Sequence, residues 1–329
     1  MTGVTTLPSS EVQNTPTKAS RLAVAVVAGS AAVLLAVFQH LRDPNRHFDF
    51  GLAWFAGRQL LSGVNPYPLV GPGLQFDWPW FLLYPATAGV AVLPLSVLPE
   101  LAATLLFVGM SASLLTYGLT RNGWDRLWIL PSSAFVIAVM AAQWSPLFCA
   151  VLLMPRLGWV LAAKPSLGLA IVAGARSGVA VRYAFLGGVV LLALSFALVP
   201  TWFASWLTVL QLHSAEVTPA LIWPGGPFIL LALLRWRRAE TWLITAMAVI
   251  PLTPAWYETL PLLLIPRSKR ECQVLSLLVS VGYLLQAAFL LPDGTVPIGT
   301  TRALVVAFGY LPAVIVVLRR GNERDVSVW

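Results

Sequence analysis

Apolar runs follow one another along this chain with few charges between them, and that succession limits the folds open to it. They cover about 22–41, 79–98, 101–119, 127–142, 146–163, 166–175, 183–205, 219–234, 240–265, 272–291 and 300–318. A simple membrane span needs about 20 apolar residues, so some runs suffice and others are short. The 240–265 run is interrupted by Pro251, Pro254, Tyr257, Glu258 and Pro261, which suits a helical hairpin. Charged residues make up 10% of the 329 and hydrophobic ones 58%, whereas a soluble domain carries about 25% charge. A soluble fold is excluded. The expected architecture is an all-α polytopic membrane protein of about 10–12 transmembrane helices, some short or broken.

The formal charge of +8 would suggest nucleic acid in a soluble protein. Here the basic residues gather between apolar runs, at Arg235-Trp236-Arg237-Arg238, Arg267-Ser268-Lys269-Arg270 and Arg319-Arg320. That is the pattern of cytoplasmic loops, so no nucleic-acid partner is expected. Cys149 and Cys272 lie inside apolar runs, and His40, His47 and His213 form no ligand spacing, so neither disulfides nor a zinc site is expected. No P-loop or GxGxxG element is present.

Residues 1–20 read as a disordered cytoplasmic tail, 21–318 as a single transmembrane domain and 319–329 as a second cytoplasmic tail. Within the domain, 42–78 forms a first outer loop and 206–222 a second. Phe50–Leu61 has apolar residues near helical spacing, which suits an amphipathic interfacial helix in the first outer loop. A hairpin at 240–265 with its tip outside places all three basic clusters inside and Tyr257, Glu258 and Asp293 outside. With 146–163 as one span, Arg176 and Arg182 fall inside, and Lys164 and the first loop outside. That arrangement puts Arg121 and Arg126 outside, against the positive-inside rule. A cytoplasmic turn at Met154-Pro155-Arg156, splitting that run into two half-spans, is the alternative.

The first loop holds the leading chemical candidates. His47-Phe48-Asp49-Phe50 sets an imidazole and a carboxylate at the membrane boundary. An Asp among aromatics is partly desolvated, which strengthens it as a base, although it also suits an N-cap for the helix that follows. Asp77, before Trp78-Pro79-Trp80, has the same two readings. Lys164-Pro165 interrupts apolar runs, so Lys164 either snorkels or meets an anion. Arg58 faces headgroups or pairs with a lipid phosphate. Gln143 bonds a sugar hydroxyl or a helix end, and Tyr257, Glu258, His213 and Glu216 are further candidates for the cavity of Asp49.

The order of these motifs resembles a known class. Asp49-Phe50, Gly57, Leu60-Leu61-Ser62-Gly63-Val64-Asn65-Pro66-Tyr67, Leu83-Tyr84-Pro85, Leu93-Pro94-Leu95 and Leu98-Pro99 are similar to the start of GT-C integral-membrane glycosyltransferases. The likeness is to bacterial polyprenol-phosphate-mannose-dependent alpha-mannosyltransferases. Gln143-Trp144-Ser145-Pro146 resembles that family's Gln-x-x-Pro element, Lys164-Pro165 its Lys-Pro, and Thr253-Pro254-Ala255-Trp256-Tyr257-Glu258 its Ser/Pro-aromatic segment. Tyr84-Pro85-Ala86 stands where the family has Tyr-Pro-Pro.

The resemblance implies an inverting glycosyltransferase that moves a sugar, mannose in the nearest case, from a polyprenyl-phosphate donor to a lipid-linked or glycolipid acceptor on the non-cytoplasmic face. It implies Asp49 as general base, Lys164 and Arg58 at the donor phosphate, and His47, Asn65, Tyr67, Asp77, Tyr84, Gln143, Tyr257 and Glu258 around the substrates. Its setting would be the bacterial inner membrane, where the chain could also dock on a larger membrane complex. It implies no nucleotide, and a divalent cation at Asp49 and Asp77 stays open as a cofactor. The other readings are a transporter or flippase of a lipid-linked substrate and a non-catalytic subunit that keeps the fold.

Overall fold

The computed structural model describes residues 16–44, 47–213, 217–292 and 294–323. The fold is all-α, and among the described residues the only sheet is a two-residue parallel pair, Val70–Gly71 with Phe76–Asp77. The helices in chain order are α1 (Lys18–Arg42), α2 (Asp49–Leu61), α3 (Ala86–Ala91), α4 (Leu93–Ser96) and α5 (Glu100–Leu119). Next come α6 (Ser133–Met140), α7 (Ser145–Leu153), α8 (Pro165–Ala175), α9 (Gly178–Leu198) and α10 (Trp202–His213). The last are α11 (Ala239–Val249), α12 (Lys269–Leu285), α13 (Ile298–Val305) and α14 (Leu311–Leu318). A π-helical turn, Val306–Tyr310, joins α13 and α14 into one helix.

Among the described residues, five helices are long and apolar enough to cross a membrane: Lys18–Arg42, Glu100–Asn122, Gly178–Leu198, Lys269–Phe289 and Ile298–Leu318. Between them the chain uses shorter pieces, including 3₁₀ segments at Pro155–Ala163, Gly226–Arg235 and Trp256–Leu264. Prolines open the first two and Pro261 lies inside the third, each withholding an amide from α-type bonding. The tighter winding rises about 2.0 Å per residue rather than 1.5, so a short segment reaches further.

α1 shows how sequence sets packing. Thr17 caps it, its hydroxyl accepting the Ser20 amide at 3.1 Å. Its buried residues are Ala25, Gly29, Ala32 and Ala36, a stripe of small side chains that lets α5 approach. A methyl group on Gly29 would lie 2.1 Å from Ser113 Oγ and 2.8 Å from the Gly109 carbonyl. The opposite face, with Val27, Leu34 and Leu41, is exposed, as a lipid-facing surface would be.

The bundle has two distinct ends. Arg21 donates from Nη2 to the Tyr117 carbonyl at 2.8 Å and lies over the Tyr117 ring, so α5 runs antiparallel to α1. Arg121 and Arg126 therefore sit at the Arg21 end, and Arg126 lies close to Arg267, Arg320 and Glu240. This corrects the expectation that both lie opposite the other basic residues. The cause is the 146–163 run: α7 ends at Leu153 and the Pro155–Ala163 segment returns, which adds one pass. Leu153 packs on Gly118, which sets that turn beside the end of α5.

At the same end, Glu240 is fully buried and its Oε1 accepts from Arg238 at 3.1 Å, Arg267 at 2.9 Å and Arg320 at 2.9 Å. Arg320 also reaches Glu271 at 2.9 Å. α8 finishes there too, at Arg176 in the left-handed region (φ 42°), whose guanidinium donates to the Trp236 and Arg237 carbonyls. A charge cluster and a carbonyl clasp thus gather these arginines at one end.

Some expected boundaries shift. α1 begins at Lys18, inside the stretch read as tail, and α10 carries helix to His213, into the second loop. The expectations for Glu216, Asp293, most of the first tail and the end of the second fall outside the described residues, as does the side chain of His213. α2 occupies the place expected for an interfacial helix, but Phe50 through Gly57 are all buried within the protein, against α3, α4 and α5.

Candidate active site

Asp49 is the first residue of α2, and its amide donates to the Ala141 carbonyl at 3.1 Å, which ties α2 to the end of α6. The cap position belongs to Phe48, which has no capping side chain, so Asp49 is not the N-cap. Its carboxylate lies in the first turn, where the helix dipole favours negative charge. The Tyr84 hydroxyl donates to Asp49 Oδ2 at 2.5 Å, and Gln143 bonds the same carboxylate. Burial pushes Asp49 above its usual 3.8, while Lys164, Tyr84 and Gln143 pull it back. Asp49 is thus a carboxylate with a strengthened affinity for a proton.

Gln143 owes its position to backbone strain. Ala142, just before it, has φ 51°, a conformation that side-chain-bearing residues rarely adopt. That turn closes α6 and brings Gln143, 4% exposed, to Asp49.

Lys164 stands between the Pro155–Ala163 segment and α8, immediately before Pro165. The Thr87 hydroxyl donates to the Ala162 carbonyl at 2.6 Å, fastening this corner to α3. Lys164 Nζ pairs with Glu258 Oε1, and it lies 5.8 Å from the Tyr84 ring centroid and 5.7 Å from that of Tyr257. The side chains are 12% and 4% exposed, so each charge depends on the other. Among the described residues Glu258 Oε2 has no hydrogen-bond partner.

The structure therefore brings together Asp49, Tyr84, Gln143, Lys164, Tyr257 and Glu258, from separate stretches of chain, at the end opposite the arginine cluster. Asp49, Tyr84, Lys164 and Tyr257 are only half-buried, so the group is reachable.

Other expected residues stand one layer back. The Tyr67 hydroxyl donates to the Tyr84 carbonyl at 3.0 Å, and the Trp206 indole to the Leu83 carbonyl at 3.0 Å, so both hold the loop that presents Tyr84. Asn65 accepts the Tyr67 amide at 3.2 Å and donates to Ser205 at 2.8 Å, joining this loop to α10.

His47, Asp77 and Arg58 are engaged elsewhere. His47 Nδ1 lies 2.9 Å from Glu100 and its ring 4.3 Å from that of Phe76. Asp77 is exposed and accepts the Gly73 amide at 2.8 Å, closing the small parallel pair. Arg58 lies over the Trp54 ring near the far end of α2, about 13 Å along the axis from Asp49. It does not join Lys164. Among the described residues no three His, Cys, Asp or Glu side chains gather as metal ligands would.

Sequence reasoning missed Glu100, Thr87 and Trp206, whose roles depend on partners far along the chain. No protein-family model matches the chain, and neither the curated proteins nor the solved structures give a match.

Proposed function

We propose that the chain is an inverting glycosyltransferase that uses a polyprenyl-phosphate sugar, with mannose as the first candidate, and a lipid-linked or glycolipid acceptor. The observation that carries this reading is the meeting of one proton-avid carboxylate, Asp49, with one half-buried cation, Lys164, across the ring of Tyr84. A displacement at an anomeric carbon requires that pair: a base for the incoming hydroxyl and positive charge for the departing phosphate.

In the proposed reaction the acceptor hydroxyl gives its proton to Asp49 as its oxygen bonds to the anomeric carbon. The bond from that carbon to the phosphate oxygen breaks, and its electron pair leaves with the polyprenyl phosphate. Attack from the opposite side inverts the centre. Tyr84 and Gln143 take two of the acceptor sites of the Asp49 carboxylate, and an ionised carboxylate has about four, which leaves capacity for the hydroxyl. Lys164 commits one donor to Glu258, and an ammonium has two more for the phosphate.

Arginines gathered at the other end favour that end as cytoplasmic, so the site would face away from the cytoplasm of a plasma membrane crossed several times. The test is transfer from radiolabelled polyprenyl-phosphate mannose into membrane lipids, comparing wild type with Asp49→Asn at matched expression. Loss of general-base help lowers turnover about 10²–10⁴-fold. Equal transfer by both would sink the role of Asp49. Absence of transfer in wild type, with mannosyl and other polyprenyl-phosphate sugars alike, would sink the glycosyltransferase reading.

A further inference from the structure

Lys164 stands between two carboxylates and contacts one. Glu258 takes its ammonium directly, while Asp49 feels its charge yet bonds Tyr84 and Gln143 instead. The contact with Glu258 centres Nζ between the rings of Tyr84 and Tyr257, at nearly equal distances of 5.8 and 5.7 Å. A lysine stem is flexible and carries a compact charge, so it turns toward whichever carboxylate is available. The Glu258 backbone is fixed by comparison. The Thr259 hydroxyl donates to the Trp256 carbonyl at 2.6 Å, and the Trp256 indole donates to Gln286 at 2.6 Å.

We propose that Glu258 is a positioning residue, which holds the Lys164 ammonium between the two tyrosine rings and so keeps it from pairing with Asp49. Among the described residues Glu258 Oε2 is buried without a donor, so this carboxylate has Lys164 as its compensation. The other titratable groups near the pair are Tyr84 and Tyr257 on the Asp49 side, and Cys149 and Tyr310 on the Glu258 side. These thiol and phenol groups are neutral near pH 7. With Glu258 neutralised, Asp49 becomes the carboxylate that Lys164 meets, and a base locked in an ion pair is a weaker base.

The effect on turnover rests on the function proposed above, but the placement of Lys164 does not, and the test separates them. The intact chain in nanodiscs is exposed to a diazo reagent that esterifies protonated carboxyls. Asp49 modification is followed against pH by peptide mass spectrometry, and sugar transfer is measured over the same pH series. In Glu258→Gln the Asp49 midpoint should fall by about one pH unit or more, the size of a carboxylate gaining a cationic neighbour. Glu258→Asp should keep the wild-type midpoint. The double variant Glu258→Gln with Lys164→Met should bring the midpoint back to wild type or above, because the cation is gone, and it also avoids an unpaired buried lysine. An unmoved or raised midpoint in Glu258→Gln, or an equal fall in the double variant, overturns the proposal even where wild type transfers sugar. A fall reversed by Lys164→Met in a protein that transfers no sugar upholds the positioning role and removes the glycosyltransferase reading.

Discussion

Replacing Tyr84 by Phe removes one hydroxyl and little else. The ring that faces Lys164 stays, and the Tyr84 carbonyl still receives the Tyr67 hydroxyl. What disappears is the 2.5 Å donation to Asp49 Oδ2. A hydrogen bond to a charged group contributes about 1.5–3 kcal/mol. Asp49 is half-buried rather than sealed, so the lower end applies, and at about 1.4 kcal/mol per pH unit the shift is about one unit. Tyr84 stabilises the ionised form, so its loss moves Asp49 upward, adding to the rise that burial already causes. The assay is kcat/KM for sugar transfer against pH. The acid limb should move up by about one unit, with rates converging on wild type at high pH. Thermal unfolding in detergent gives a second reading with a defined sign. A folded-state value above the unfolded 3.8 means that protonation favours the fold, so stability rises as pH falls through the folded value. Tyr84→Phe should therefore be less stable than wild type above its Asp49 midpoint, and the gap should close below the wild-type one. An acid limb that stays in place or moves down would refute the reasoning.

Three other perturbations address the frame. Glu240→Gln leaves Arg238, Arg267 and Arg320 converging on a neutral amide, and should cost about 3 kcal/mol in detergent unfolding, the lower end for a broken buried pair because Arg267 is 35% exposed. Gly29→Ile drives a branched side chain into Ser113 and the Gly109 carbonyl and should cost about 2–3 kcal/mol by the same measurement, whereas Leu34→Ile on the exposed face should be near neutral. Cysteine at exposed Asp77 should react with an impermeant maleimide on intact cells, and cysteine at exposed Arg270 only after permeabilisation, if the arginine end faces the cytoplasm. The two native cysteines are buried and should stay silent.

Gln143, Lys164 and Glu258 stood out in the sequence as polar groups that interrupt apolar runs, where each is costly unless it is used, and Asp49 as a carboxylate among aromatics at the membrane boundary. Their meeting was not legible, since it depends on packing between segments as far apart as Lys164 and Glu258, 94 residues along the chain. Hydropathy also could not decide between one span and two for 146–163. A continuous apolar run reads alike either way, and only the break at Met154 and Pro155 sets Arg126 at the same end as Glu240. Asn65 and Tyr67 drew attention as an unusual motif, yet they brace the loop that carries Tyr84. The strain at Ala142 has no sequence signature, because glycine is the residue that such a turn predicts.

The Glu240 clasp has a consequence for how the chain is made. Its second cation, from Arg267, is synthesised 27 residues after the carboxylate, and its third, from Arg320, 80 residues after it. At about 5–20 residues per second, Glu240 waits roughly 4–16 seconds for Arg320 to be synthesised. The guanidinium of Arg320 then also donates to the Ile265 carbonyl at 3.0 Å, while Arg235 donates to the Arg320 and Leu318 carbonyls at 2.6 and 2.9 Å. Insertion of the last helix and completion of the charge cluster on Glu240 are thereby a single event. A nascent chain halted before Arg320 would leave the cluster without its third guanidinium and without the Arg320 contacts to Glu271 and the Ile265 carbonyl, a local defect of the kind that quality-control proteases detect.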